Sequence, residues 1–123
     1  MEKRILIADD EPELLRTVES FLKTRGYIVI LAKNGKEAVE KALAQKPHLI
    51  ILDIVMPDMD GSEAAMLLRE DERTKRIPVF FLTGVISPED QSATQSNPNV
   101  VLAKPINFDT LLKAIRRIDS LKD

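Results

Sequence analysis

Five short apolar runs, separated by stretches of helical spacing, limit what this chain can fold into more than any other feature. They are Ile5-Leu6-Ile7-Ala8, Tyr27 to Leu31, Leu49-Ile50-Ile51-Leu52, Val79-Phe80-Phe81-Leu82 and Val100-Val101-Leu102-Ala103. Runs of this length and β-branched content are strand-like, and three of them show no polar alternation, which is the pattern of parallel strands covered by helices on both faces. Between them, Leu14, Leu15, Val18, Phe21 and Leu22 share one helical face, with Pro12 suited to the first turn and Gly26 to the position after the last. A second helix follows Asn34, which stands at capping-box spacing from Glu37; Ala38, Val39, Ala42 and Leu43 form its apolar face and Pro47 closes it. Gly61 opens a third helix through Ala64, Ala65, Leu67 and Leu68. The last starts at Asn107 and turns Phe108, Leu111, Leu112, Ile115 and Ile118 inward, leaving Lys113, Arg116 and Arg117 to water. Segment 87–99 has one apolar side chain apart from its prolines, Ala93, so a helix within 88–96 is expected to be short and weakly held.

Alternating strands and helices joined by right-handed crossovers give an α/β, doubly wound three-layer sandwich, and 123 residues suit one domain, 1–123. A flavodoxin-like strand order and a Rossmann half both satisfy this pattern. Composition narrows the chemistry. No cysteine and one histidine exclude thiolate catalysis, Cys-ligated zinc and His-cluster metal sites. A net charge of −2 provides no overall positive field to gather nucleic acid or anionic lipid. No apolar run approaches the roughly 20 residues that span a bilayer, and no full signal-peptide core follows Met1, so a cytoplasmic location is expected, without direct nucleic-acid or membrane binding.

Open α/β sheets bind ligands at the carboxyl ends of their strands. The residues there are Asp9 and Asp10, Asp53, Thr83 and Lys104. Gathering three carboxylates is costly, since each like-charge pair at ~4 Å costs about 4 kcal/mol at an effective dielectric near 20. A cation must offset it. Oxygen-only donors suit Mg²⁺, which takes one or two carboxylates and keeps sites for water and phosphate oxygens. Phosphoryl transfer needs positioned cations and an oxygen nucleophile, and a carboxylate can serve as one. Asp53 ends the most apolar run, expected to be central in the sheet, and is the natural nucleophile; Thr83 and Lys104 would contact the phosphoryl oxygens.

Asp9-Asp10, Leu52-Asp53-Ile54-Val55-Met56-Pro57-Asp58-Met59-Asp60-Gly61, Thr83-Gly84 and Lys104-Pro105 together make the chain resemble a receiver domain of the two-component response-regulator family over essentially its whole length. The resemblance implies a flavodoxin-like fold with sheet order 2-1-3-4-5. It also implies that Asp53 accepts a phosphoryl group from a sensor histidine kinase, a histidine phosphotransfer protein or a small phosphodonor. By the same likeness Asp10, Asp53 and the Val55 backbone carbonyl bind Mg²⁺ directly and Asp9 acts through water. Thr83 and Lys104 sense and hold the phosphoryl group, and the Lys104-Pro105 peptide is cis. A protein of this kind is a phosphoacceptor that assists its own phosphorylation and slow dephosphorylation, rather than an enzyme, and it signals to a downstream protein partner.

Two departures carry expectations of their own. Val101 stands where such domains commonly place an aromatic ring three positions before the lysine, so signalling is expected to rely on ordering of loop 83–90 rather than on a ring flip. Val55 and Val85 flank the pocket and cannot orient an attacking water, so self-dephosphorylation should be slow. The alternative reading is a receiver-like interaction module that works without phosphorylation. A dinucleotide carrier is disfavoured because the four glycines never form G-x-G-x-x-G. Asp58 to Asp60 reads as a turn rather than a calcium loop, and His48, away from the acidic rim, is read as structural or partly exposed, with no functional role.

Overall fold

The computed structural model describes residues 2–84, 100–118 and 121. The chain runs β1 (Arg4–Ala8), α1 (Pro12–Thr24), β2 (Ile28–Ala32), α2 (Gly35–Gln45), β3 (Leu49–Asp53), α3 (Gly61–Glu70), β4 (Val79–Thr83), β5 (Val100–Ala103) and α4 (Phe108–Arg116). All pairings are parallel and the order is β2-β1-β3-β4-β5, the flavodoxin-like one of the two orders compatible with the sequence. The strand expected over Tyr27 to Leu31 is shifted by one residue, and β1, β3 and β4 each extend one residue beyond their apolar runs. Val85 and the helix expected within 88–96 lie outside the described residues.

Successive strand residues supply opposite faces of the sheet, which is why unbroken apolar runs are needed. Leu6, Ile30, Ile50, Leu52 and Phe81 pack toward α2 and α3; Ile5, Ile7, Leu49, Ile51, Phe80 and Leu82 pack toward α1 and α4. The first layer is thin, because Ala38 and Ala42 on α2 and Ala64 and Ala65 on α3 are its buried helix contributions besides Leu68, with Val39 at its margin. Leu67, one of the apolar residues through which the third helix is expected to run, is 38% exposed and Met66 54%. The helix uses Ala64, Ala65 and Leu68 to meet the sheet, and position 67 falls at the margin of that narrow stripe.

Local chemistry sets the helix limits. Pro12 occupies the first turn of α1, and Gly26, at φ +91°, turns the chain out of it with its N–H on the Lys23 carbonyl. Asn34, Asp60 and Asn107 each accept a hydrogen bond from the backbone N–H three residues on, capping α2, α3 and α4. Glu37 does not return the bond to Asn34; it pairs with Lys41 at 3.1 Å.

His48, expected to be structural or partly exposed, is structural. Its Nδ1 accepts the Arg4 N–H at 3.0 Å while its own N–H donates to the Arg4 carbonyl at 2.8 Å, and the Arg4 guanidinium donates to the carbonyls of Gln45 and Lys46 at the end of α2. Burial, then the neighbouring Arg4 charge, pushes the imidazole below its usual 6.5. A lowered folded pKa makes the unfolded chain take up the proton first, so this stabilisation is complete above about pH 6.5 and is lost as pH falls through the folded value. Urea midpoints followed by circular dichroism should therefore drop between about pH 7.5 and pH 5 by more in the wild type than in His48→Asn, whose Oδ1 can accept the same N–H without titrating.

Candidate functional site

Parallel register brings the strand ends to one rim. Ala8 lies opposite Leu52, Asp53 opposite Leu82 and Thr83 opposite Ala103, so the residues following β1 and β5 and those ending β3 and β4 are neighbours across the sheet. The chain crosses to opposite sides on leaving β1 and β3, which opens a crevice between these two strand ends. Asp9 is fully buried, Asp10 is exposed and Asp53 is 5% exposed. One carboxylate oxygen from each lies within 4.8 Å of the others.

Lys104 ties the crevice together. Its ammonium donates to Asp53 Oδ2 at 2.9 Å, stands 2.8 Å from Asp9 Oδ2 and reaches Glu11 at 3.5 Å. The side chain is aimed by its backbone, whose N–H donates to the Thr83 carbonyl at 2.9 Å, and it precedes a cis peptide to Pro105. Burial alone would lower the Lys104 ammonium, but Asp9 and Asp53 together raise it above its ordinary range, so it stays charged. The Asp9 carboxyl is also raised, but by burial, against Lys104 and the Glu11 N–H that hold it down. The Glu11 N–H donates to Asp9 Oδ1 at 2.9 Å.

The donor set fits a hard cation. One ammonium facing three clustered carboxylates leaves an excess of negative charge. Asp9 Oδ2 is buried and, although close to Lys104, receives no hydrogen bond at a usable angle. An oxygen in that state is available to a metal or to metal-bound water. The Val55 N–H donates to Asp53 Oδ1 at 3.3 Å, while the Val55 side chain is 75% exposed. Thr83 ends β4 one position past Leu82, the residue paired with Asp53, and is half-buried.

The family profile of the response regulator receiver domain matches residues 5–116. This chain is a response regulator receiver domain. It is 34% identical to the protein PilH of Pseudomonas aeruginosa over 116 residues, covering 94% of this chain and 96% of PilH; it spans between 17% and 50% of several longer curated relatives. The receiver domain of sensor histidine kinase PA1611 from P. aeruginosa, solved with magnesium in its active-site cleft, superposes with a TM-score of 0.83 at 30% identity, covering 96% of this chain and 98% of that one. So does the Saccharomyces cerevisiae Ssk1 receiver domain, solved with the histidine phosphotransfer protein Ypd1: TM-score 0.83, 30% identity, 98% and 90% coverage. As a receiver domain the chain is a phosphorylation-dependent switch of two-component signalling, a phosphoacceptor domain whose family binds Mg²⁺ at an acidic site. Among its described residues no helix is long and apolar enough to cross a membrane.

The geometry brings together Asp9, Asp10, Asp53 and Lys104, all of them expected from the sequence. It adds Glu11, whose adjacency to the acidic pair was the available signal. It also adds Gly61: a Cβ there would lie 2.3 Å from the Asp53 carbonyl oxygen, so only glycine lets α3 start this close to β3. An apolar cleft beside the crevice is lined by Leu14, Thr17, Val18, Pro105, Ile106 and Phe108, with Glu11 and Lys104 also on its walls.

The crowding of charge predicts opposite effects of two substitutions on metal-free stability. Lys104→Met is expected to cost about 3 kcal/mol, because it strands two nearly buried carboxylates. Asp9→Asn is expected to raise stability by about 1 kcal/mol, since it removes a desolvated charge. Urea unfolding in the presence of a chelator measures both.

Proposed function

We propose that Asp53 is the residue of this receiver domain that accepts the phosphoryl group, with Asp10, Asp53 and the Val55 backbone carbonyl as direct Mg²⁺ ligands and Asp9 acting through water. The observation that carries this reading is the bridge of Lys104 between Asp9 and Asp53 at 2.8 and 2.9 Å. It fixes a nucleophilic carboxylate and a cation side by side at the carboxyl edge of the sheet. An Asp53 oxygen attacks the phosphorus, forming a P–O bond as the P–N bond of a phosphohistidine, or the P–O bond of a small acyl phosphate, breaks. Lys104 then meets the phosphoryl oxygens, with the Thr83 hydroxyl on their other side. Bound Mg²⁺ supplies charge neutralisation among the carboxylates and the incoming phosphoryl group. In this sense the chain assists its own phosphorylation.

Residues 1–123 are read as one receiver domain acting in the cytoplasm. Its phosphodonor is a sensor histidine kinase or a histidine phosphotransfer protein, for which the apolar cleft alongside α1, with Lys104 on its wall, offers a docking surface. The downstream target is a protein. To convert a 1:99 population of the active conformer into 99:1, phosphorylation must favour that conformer by about 5.5 kcal/mol. The expected reliance of signalling on ordering of loop 83–90 concerns residues that lie, from 85 onward, outside the described part of the chain.

Incubation with Mg²⁺ and acetyl phosphate followed by intact mass measurement is expected to add one phosphoryl group, about 80 Da, in the wild type and nothing in Asp53→Asn. A wild-type chain that stays unlabelled would leave the interaction-module reading instead. The second expectation concerns lifetime. With an apolar, exposed side chain at Val55, no group at this position steers water toward phospho-Asp53. Its half-life should be minutes or longer, and Val55→Asn should shorten it by up to about tenfold. A half-life of seconds that Val55→Asn leaves unchanged would contradict this.

A further inference from the structure

Segment 54–60 leaves the end of β3, carries Val55 over the crevice and returns to start α3. Its near side is tied at Gly61, whose N–H donates to the Ile54 carbonyl at 2.9 Å. Its far side is held by α2, an element with no residue in the site. The Gly35 N–H donates to the Met59 carbonyl at 3.0 Å, and the Asn34 side-chain amide donates to Asp58 Oδ2 at 3.4 Å. The approach is as close as backbone allows: a Cβ at Gly35 would lie 2.2 Å from the Met59 oxygen, about an ångström inside ordinary contact. The arc between these ties is stiff, with Asp58 at φ +67° and the Met59 N–H turned back onto the Pro57 carbonyl at 2.7 Å. Met56, 7% exposed, is its buried anchor, and an unbranched thioether side chain follows a shift more readily than it resists one.

We propose that Gly35, together with Asn34, is a positioning residue for the metal site. The first turn of α2 holds 54–60 at the height that presents the Val55 backbone to the carboxylates of Asp10 and Asp53, so part of the Mg²⁺ affinity is set from outside the crevice. This rests on the reading of Asp10, Asp53 and the Val55 carbonyl as ligands. Mg²⁺ demands near-octahedral ligands at about 2.0–2.1 Å. A displacement of about an ångström at Met59, passed through a rigid turn to Val55, is therefore large on the scale that the metal tolerates. Asn34 is suited to the task because its oxygen caps α2 while its amide nitrogen reaches the loop, one side chain serving both elements.

The test is a Mg²⁺ titration of the full chain, read by the thermal midpoint and by the Val55 amide resonance, for wild type, Gly35→Ala and Asn34→Ser. Serine keeps the cap but is too short to donate to Asp58. Gly35→Ala is expected to weaken Mg²⁺ binding about tenfold or more, and Asn34→Ser less, in the same direction. At saturating Mg²⁺ the labelling rate with acetyl phosphate should return to within about twofold of wild type, because positioning alters affinity and leaves the chemistry intact. A folded Gly35→Ala with wild-type affinity overturns the proposal, as does a rate loss that Mg²⁺ cannot restore. Should Gly35→Ala fail to fold, an unchanged affinity in Asn34→Ser overturns it. A wild-type chain indifferent to Mg²⁺ would instead remove the ligand reading beneath it.

Discussion

The charge balance around Lys104 is the constraint on which the rest of the site depends. Asp9 and Asp53 are withdrawn from water at the ends of two adjacent strands, and their mutual repulsion is tolerable only because one ammonium lies within 3 Å of both. That ammonium cannot be supplied locally, because Lys104 is distant from both in sequence. It reaches the crevice because β5 is parallel to β4 and in register with it, and because the Lys104 N–H is bound to the Thr83 carbonyl. The sheet thus assembles a polar cluster that no short segment of this chain could hold, and the apolar strands beneath it provide the low dielectric that gives the cluster its strength.

This dependence explains why so much of the candidate site is legible in the sequence. In a parallel sheet every strand ends on the same edge, so the residues after each apolar run are neighbours once the runs are recognised as strands. Asp9, Asp10, Asp53, Thr83 and Lys104 follow from that rule alone, and the strand order β2-β1-β3-β4-β5 brings the ends of β1 and β3 side by side. The central position of β3, inferred from its unbroken Leu49 to Leu52 run, agrees with full burial of all four residues.

What could not be read was set by contacts between elements rather than by periodicity within one. Helical spacing assigns Leu67 to a face but does not say how wide the buried stripe is; that width depends on neighbouring helices, and alanines made it narrow. The close approaches at Gly35 and Gly61 could not be read, because the carbonyls that would collide with a side chain there, those of Met59 and Asp53, come near only when the chain folds. The partner of His48 was hidden for a similar reason, since Arg4 is on another strand. Glu11 is the exception, visible beside the acidic pair yet recognisable as a third partner of Lys104 only from the 3.5 Å separation.

The thin layer beneath α2 and α3 has a consequence for how the molecule can vary. Ala38, Ala42, Ala64 and Ala65 are at most 1% exposed, so the two helices add little side-chain volume of their own and rest on the strand residues Leu6, Ile30, Ile50, Leu52 and Phe81. A valine in place of Ala38, Ala42 or Ala64, each fully buried, must pry a helix outward, whereas Ala65 borders a cleft beside Met66 and Phe81. On this flank, evolution or engineering is confined to substitutions that face away from the sheet, while the opposite flank, cushioned by leucines and isoleucines, can exchange one bulky shape for another.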